Sequence, residues 1–347
     1  MLLAADVGGT KSLLGVYHMP AAGRRRGAGG AAGWPPPPDG RPRPQVMREF
    51  ATLDFDSLED LISTFVEETG LTDIEAMCVG VAGPVTELTA RLTNVPWIAD
   101  ATFAAERFAC PVRLVNDLEA MATAVPVLDR DELAVLQEGV AVPSGNAAVI
   151  AAGTGLGEAL LHNVNGRFIA SATEAGHADF AARTPREMEL VAELTRIHGR
   201  VENERVISGP GLINLFRFTH GAAGGTASCH AIDREVDRSD MPAAITQSAL
   251  EGRCDRCGEA LELFVEAYGA EAGNLALRSV ATAGIYVGGG IAPKIMPALQ
   301  SGLFIDAFLD KPPLADLLRT IPVAVILNPA AALLGAAVCA ERLLETT

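Results

Sequence analysis

The chain has 347 residues, room for two domains with substantial cores, and its 49% apolar content excludes disorder for the bulk of it. Lys and Arg number 27 against 43 Asp and Glu, a net charge of −16. That balance argues against a nucleic-acid or polyphosphate-strand binder, because neutralising a phosphate backbone takes clustered cations. A small anion held by backbone amides and a metal ion stays open.

In chain order, Ala4-Ala5-Asp6-Val7 reads as a short strand that runs into Gly8-Gly9-Thr10 and resumes as Ser12-Leu13-Leu14-Gly15-Val16-Tyr17. This predicts a β-hairpin whose glycine turn exposes N–H groups able to cradle an anion, with the Thr10 hydroxyl as a further donor. An ordinary hairpin turn is the alternative. Gly9-Thr10-Lys11-Ser12 is not the tail of a P-loop, which needs glycine directly before the lysine. Only Met1 to Ala5 precede Asp6, too few for a signal h-region, so a cytoplasmic protein is expected. Residues 20–44 differ in character, with Arg24-Arg25-Arg26, a Gly/Ala run and Pro35 to Pro38. Such a segment buries no apolar area and reads as a disordered surface insertion, placed where added loop length costs little. A basic docking arm is the other reading.

A strand near Gln45–Leu53 follows, then a helix over Ser57–Thr69 that Asp56 or Ser57 can cap. Strands are predicted at Glu75–Val81 and Pro111–Val115, with a helix starting near Asp100 between them. Asn116-Asp117 closes the second strand, and a helix is expected from Leu118. Catalytic groups of open α/β sheets gather at this carboxyl edge, which makes Asp117 a candidate. Asp is also a good N-cap, and one residue can serve both ends.

From Ala147 the pattern restarts: an apolar strand, then Gly153-Thr154-Gly155-Leu156-Gly157, then Ala159-Leu160-Leu161. This is a second glycine-threonine cradle. Glu174-Ala-Gly-His177 follows, a carboxylate and an imidazole that suit sugar hydroxyls, which both donate and accept; a structural histidine is the alternative. Glu204 offers a further carboxylate before a glycine-rich helix start. Helices are expected at Pro185–His198, Gly211–His220 and Gly258–Ala281. The strand Gly284–Val287 leads into Gly288-Gly289-Gly290, and the strand Val323–Leu327 precedes a helix from about Pro329 to Leu344. Asn328 and Pro329 argue against a membrane span there. The repeated meander and βα pattern predicts a duplicated α/β fold with a ligand cleft between its halves. The expected division is 1–130 for a small domain and 131–347 for a large one, with the C-terminal helix packing back on the small domain.

Six cysteines are present. Cys254 and Cys257 could join Cys229-His230 as four zinc ligands, but the pair opens a helical pattern far along the chain, and a lone CxxC is weak evidence. No zinc is expected.

Taken together, the chain resembles the bacterial ATP-dependent glucokinases of the sugar kinase, Hsp70 and actin superfamily. The motifs that carry the resemblance run in family order. They are Asp6 to Thr10, Ala82-Gly-Pro84, Thr93-Asn94-Val-Pro-Trp97, Val115-Asn116-Asp117, Gly153 to Gly157, Glu174 to His177, Glu204 to Gly211 and Gly288 to Ile291. The resemblance implies two ribonuclease H-like domains of βββαβαβα type and transfer of the ATP γ-phosphoryl group to the 6-hydroxyl of glucose. Asp117 is then the base. Asn94, Asn116, Asp117, Glu174, His177 and Glu204 would hold the sugar. Asp6, Gly8, Gly9, Thr10, Lys11, Gly153, Thr154, Gly155, Gly288, Gly289 and Gly290 would surround ATP, with Asp6 near Mg2+ through water. A homodimer is also implied. Lys11 departs from the usual Asn and is similar to the turn of the repressor/open-reading-frame/kinase family. That family's CxCGxxGC zinc motif has no counterpart here, since no cysteine lies between His177 and Cys229. The alternatives are a kinase for another hexose or N-acetylated amino sugar, a sugar-sensing regulator, or an actin-like assembly protein.

Overall fold

The computed structural model describes residues 1–18, 41–92, 95–221, 229–233 and 235–345. The first unit opens with β1 (Leu2–Val7), β2 (Lys11–His18), β3 (Arg43–Ala51) and β4 (Ala76–Val81). Three short strands, β5 (Val85–Thr86), β6 (Thr89–Arg91) and β7 (Ile98–Asp100), form a small separate sheet, and β8 (Val112–Asn116) follows. The main sheet has the order β3-β2-β1-β4-β8. Its first three strands are antiparallel neighbours, whereas β1, β4 and β8 run parallel. β4 is buried at every position and β1 at all but Asp6, the continuous apolar pattern of central strands covered on both faces.

Helix α1 (Leu58–Thr69) starts where Ser57 Oγ accepts from Asp60 N and stops at Gly70, in the left-handed region at φ 64°. Leu58, Leu61, Ile62 and Phe65 form its buried stripe. Helices α2 (Thr102–Phe108) and α3 (Asp117–Ala124) flank β8.

β3 begins at Arg43, and as an edge strand it accommodates Pro44 without losing an interior ladder bond. Arg41 forks onto Glu132 at 2.5 and 2.8 Å and reaches Asp129 at 2.8 Å. The insertion expected over 20–44 therefore overreaches at its end: residues 41–44 are bonded into the first unit, and 19–40 lie outside the described residues.

A second set of strands follows, β9 (Leu133–Gln137), β10 (Ala147–Ala152), β11 (Leu156–Val164), β12 (Arg167–Thr173), β13 (Gly284–Gly288) and β14 (Val323–Ile326). These form a sheet ordered β12-β11-β10-β13-β14-β9, with β10, β13 and β14 parallel. Its first five strands repeat the order of the first sheet position by position, so the fold is a duplicated ribonuclease H-like α/β arrangement. Its helices are α4 (Pro185–His198), α5 (Gly209–Thr219), α6 (Met241–Leu250), α7 (Asp255–Ser279), α8 (Met296–Leu299), α9 (Leu303–Leu309) and α10 (Ala315–Thr320). Thr184 and Glu187 make a capping box at α4, with Pro185 in its first turn. α7 is the central helix of this unit. A Cβ at Gly269 would stand 2.1 Å from Phe304 O, so the glycine lets α9 lie directly on α7.

A last helix, α11 (Ala331–Glu345), packs on α3, β1 and β4. A Cβ at Gly335 would fall 1.7 Å from Ala120 O, and glycine is what permits this approach. The chain consequently returns to its first unit. One unit comprises 1–133, 159–172 and 328–347, and the other 134–158 and 173–327, which a single boundary at 130/131 does not describe. No helix among the described residues is long and apolar enough to cross a membrane.

Candidate active site

In the first unit the β1–β2 turn is fixed from several sides. Gly8 N donates to Lys11 O at 3.0 Å, and Thr52 Oγ1 donates to Gly8 O at 2.8 Å. Thr52 N donates to Thr10 O at 3.0 Å, and its hydroxyl lies 2.8 Å from Ser12 Oγ. Thr10 is exposed and Gly9 half-buried. Lys11 Nζ lies 2.7 Å from Glu49 Oε1 on β3, in an exposed pair.

Asp6 stands one residue from the end of β1, and Asp117 directly follows the end of β8. Because β1, β4 and β8 are parallel, both carboxylates lie at the same edge of the sheet. Gly80 separates them, paired with Asp6 on one side and Val115 on the other, and α3 packs over it at Ala120. Burial, reinforced by the charge of Asp117, pushes the Asp6 carboxyl up to about 7.

The N-cap of α3 is Asn116, whose Oδ1 accepts from Leu118 N at 2.9 Å and Glu119 N at 3.4 Å. Asp117 is the first helical residue, and the helix starts there rather than at Leu118; its Oδ1 also accepts from Leu118 N at 2.9 Å. Asn116 Nδ2 donates to Gly83 O at 3.2 Å, so one amide hydrogen of Asn116 is left for a ligand. Asn94 lies outside the described residues.

The second unit builds its own turn. Gly153 N donates to Gly155 O, and Gly209 N to Gly153 O, both at 2.8 Å. Tyr268 on α7, which the sequence pattern shows only as part of an apolar helix face, ties the two glycine segments together. Its hydroxyl accepts from Ala152 N at 3.1 Å and lies 3.2 Å from Ile150 O and 3.3 Å from Gly288 O. Gly289, at φ 84°, packs against Ala152 so tightly that a Cβ would meet its carbonyl at 2.3 Å. Gly153 and Gly290 face open space.

Glu204 Oε2 accepts from Leu156 N at 3.0 Å, where a Cβ on Gly155 would collide with the carboxylate. Glu204 thus lies against the same turn that the sequence assigns to phosphate. His177, Glu202 and Glu204 bring one ligand atom each within 4.8 Å of one another. Glu202 is the member sequence reading missed. Its Oε1 lies 3.8 Å from His177 Nδ1 and 3.3 Å from Arg205 Nε. Its place opposite Asp179 in an isolated bridge explains the proximity. Gly176 is required because a Cβ there would reach Leu156 O at 2.0 Å. Glu174 is exposed, and its carbonyl accepts from His177 N at 3.0 Å.

The cysteine geometry corrects the ligand set considered from sequence. His230 is exposed and stands outside the group; His220 joins Cys229, Cys254 and Cys257 instead.

The glucokinase family model matches residues 3–343. The chain is 36% identical to the glucokinase of Synechocystis sp. in an alignment that covers 98% of each chain. The chain belongs to the glucokinase family. Among solved structures, a glucokinase from an Antarctic psychrotroph is similar with a TM-score of 0.82 and 28% identity over 98% of each chain. A ROK family glucokinase from Streptomyces griseus, solved in complex with glucose and AMPPNP, shares the fold at a TM-score of 0.60 and 19% identity, over 98% of this chain and 99% of its own.

Proposed function

We propose that the chain is a glucokinase that transfers the γ-phosphoryl group of ATP to the 6-hydroxyl of glucose. The observation that carries this reading is the 36% identity to a glucokinase across 98% of both chains. In the reaction, Asp117 accepts the hydroxyl proton, the 6-oxygen attacks the γ-phosphorus, and ADP leaves. Phosphoryl transfer depends mainly on positioning and charge stabilisation, so a positioned carboxylate and backbone amides suffice as protein machinery. What supports Asp117 as the base is its place at the carboxyl edge beside Asp6, with Asn116 supplying the cap of α3. Asn94, Asn116, Glu174, His177 and Glu204 are assigned to the sugar hydroxyls, with Glu202 3.8 Å from His177. Gly8 to Lys11, Gly153 to Gly155 and Gly288 to Gly290 are assigned to ATP.

The first unit's residues fit Mg2+. Asp6 is an oxygen donor whose ionised form is disfavoured by burial and by Asp117, a deficit that a hard divalent cation relieves. Asp6 would hold the ion through water, and the ion would neutralise phosphate charge. The same reading has the enzyme act as a cytoplasmic homodimer, which light scattering of the full chain checks.

A coupled assay over a panel of hexoses, with ATP, ADP and polyphosphate as donors, tests the proposal. Glucose with Mg-ATP should be the best pair. Fructose should be lower by at least about tenfold in kcat/KM, because a site that pairs particular hydroxyls penalises unmatched ones. No glucose 6-phosphate, or equal turnover of an N-acetylated sugar, would overturn it.

A further inference from the structure

The end of α5, the segment at Cys229 and the start of α7 converge on four side chains that the phosphoryl-transfer chemistry does not use. One ligand atom from each of His220, Cys229, Cys254 and Cys257 lies within 4.8 Å of the other three. Cys229 Sγ is 3.8 Å from Cys257 Sγ, and Cys254 Sγ is 3.6 Å from His220 Nε2. Tetrahedral zinc with ordinary Zn–S and Zn–N bonds requires edges of about 3.8 Å between sulfurs and about 3.5 Å between sulfur and nitrogen. Both distances are therefore close to those a bound ion would impose, and too long for a disulfide.

The surroundings prepare the ligands. His220 Nδ1 lies 2.8 Å from Phe216 O, an acceptor only, so Nδ1 carries the proton and Nε2 offers its lone pair to the cluster. Ser248 is fully buried beside Cys257, and its hydroxyl has no hydrogen-bond partner among the described residues; a metal-bound thiolate would supply one. Thr219 Oγ1 donates to Arg256 O at 2.9 Å, and Arg253 donates to Ala231 O at 2.8 Å. These bonds fix the ends of α5 and α6, the 229–233 segment and the first turn of α7 around the same point.

We infer that His220, Cys229, Cys254 and Cys257 form a closed Cys3His site for one Zn2+ ion. Binding releases the three thiol protons to solvent and forms three Zn–S bonds and one Zn–N bond, leaving a site of net charge −1 beside Arg253 and Arg256. With four protein ligands no position is open for a reacting water, so the role is structural. The sequence concealed the site because the histidine that completes it closes α5, well before Cys229, whereas the adjacent His230 is exposed and outside the group.

The test uses the full chain, purified with thiols reduced and without chelator. Elemental analysis should give about one zinc per chain. Replacing zinc by Co2+ should produce thiolate-to-cobalt charge-transfer absorption with tetrahedral visible bands. Cys229→Ser and His220→Ala should each lower zinc affinity by at least about tenfold, as loss of a ligand or its support does, whereas Cys110→Ser should keep full zinc. Far substoichiometric zinc with no charge-transfer band on adding Co2+ would overturn the inference. So would a Cys229–Cys257 disulfide in the isolated protein. The wild-type measurements stand even where a variant folds poorly, and none depends on sugar phosphorylation.

Discussion

Asp6 and Asp117 stand at one edge of the first sheet, two strands apart, and the charge of Asp117 adds to desolvation in holding the half-buried Asp6 carboxyl at about 7. The pair is a site of stored charge repulsion, and anything that removes one negative charge or adds a cation relaxes it. Asp117→Asn should therefore lower the Asp6 value below 7, as read by carboxyl 13C NMR titration. Saturating Mg-ATP on the wild-type chain should lower it as well. An unchanged value in the variant would show that burial alone sets Asp6 and that the two carboxylates do not interact.

The Arg41 fork predicts where the foreign segment ends. Deleting 21–39 and joining the ends with a short turn should leave turnover and Tm nearly intact, because its composition offers no core. Arg41→Ala should cost roughly 1–3 kcal/mol, the worth of hydrogen bonds to charged groups, since it strands Glu132 and Asp129 without their shared partner. Chemical denaturation of both variants decides. Equal stability of Arg41→Ala and the parent would mean the fork is only a surface contact.

Glu158 on β11 is fully buried, and neither carboxyl oxygen accepts a hydrogen bond among the described residues. Burial first, then the neighbouring Glu271, push its pKa to about 8, against the opposing pull of Arg278. The fold thus retains a proton there that the unfolded chain loses above its ordinary value of 4.5. Its stabilising contribution is complete below that value and is lost as pH rises through 8. Glu158→Gln should flatten the fall in unfolding free energy between pH 5 and 8, by an amount on the order of a few kcal/mol at the alkaline end, as read by chemical denaturation across that range. A parallel pH profile in the variant would contradict the assignment.

The two glycine-threonine turns were legible in the sequence because they are local. A glycine-threonine turn at the end of an apolar run needs no distant partner to be read, and two such turns betray the duplication. Ser57 likewise announces a helix start by its own chemistry. What stayed hidden depends on pairings across long sequence separations. Asn116 and Asp117 are both good caps, and only the helix start shows which one is used. Glu202 gains meaning from the bridge that brings it to His177, and Tyr268 from the strand ends it reaches. α6 escaped notice because only Ile245 and Ser248 of its ten residues are buried, so it has no strong apolar stripe.

The most direct test of the account is the turnover of Asp117→Asn with glucose and Mg-ATP, measured alongside thermal stabilisation by glucose. The amide is nearly the same size and leaves the Asn116 cap in place, but it does not accept the sugar proton at neutral pH. The account predicts a fall in kcat of roughly 10²–10⁴-fold, the usual contribution of a positioned general base, with the glucose-induced rise in Tm retained. Near-normal turnover would contradict it.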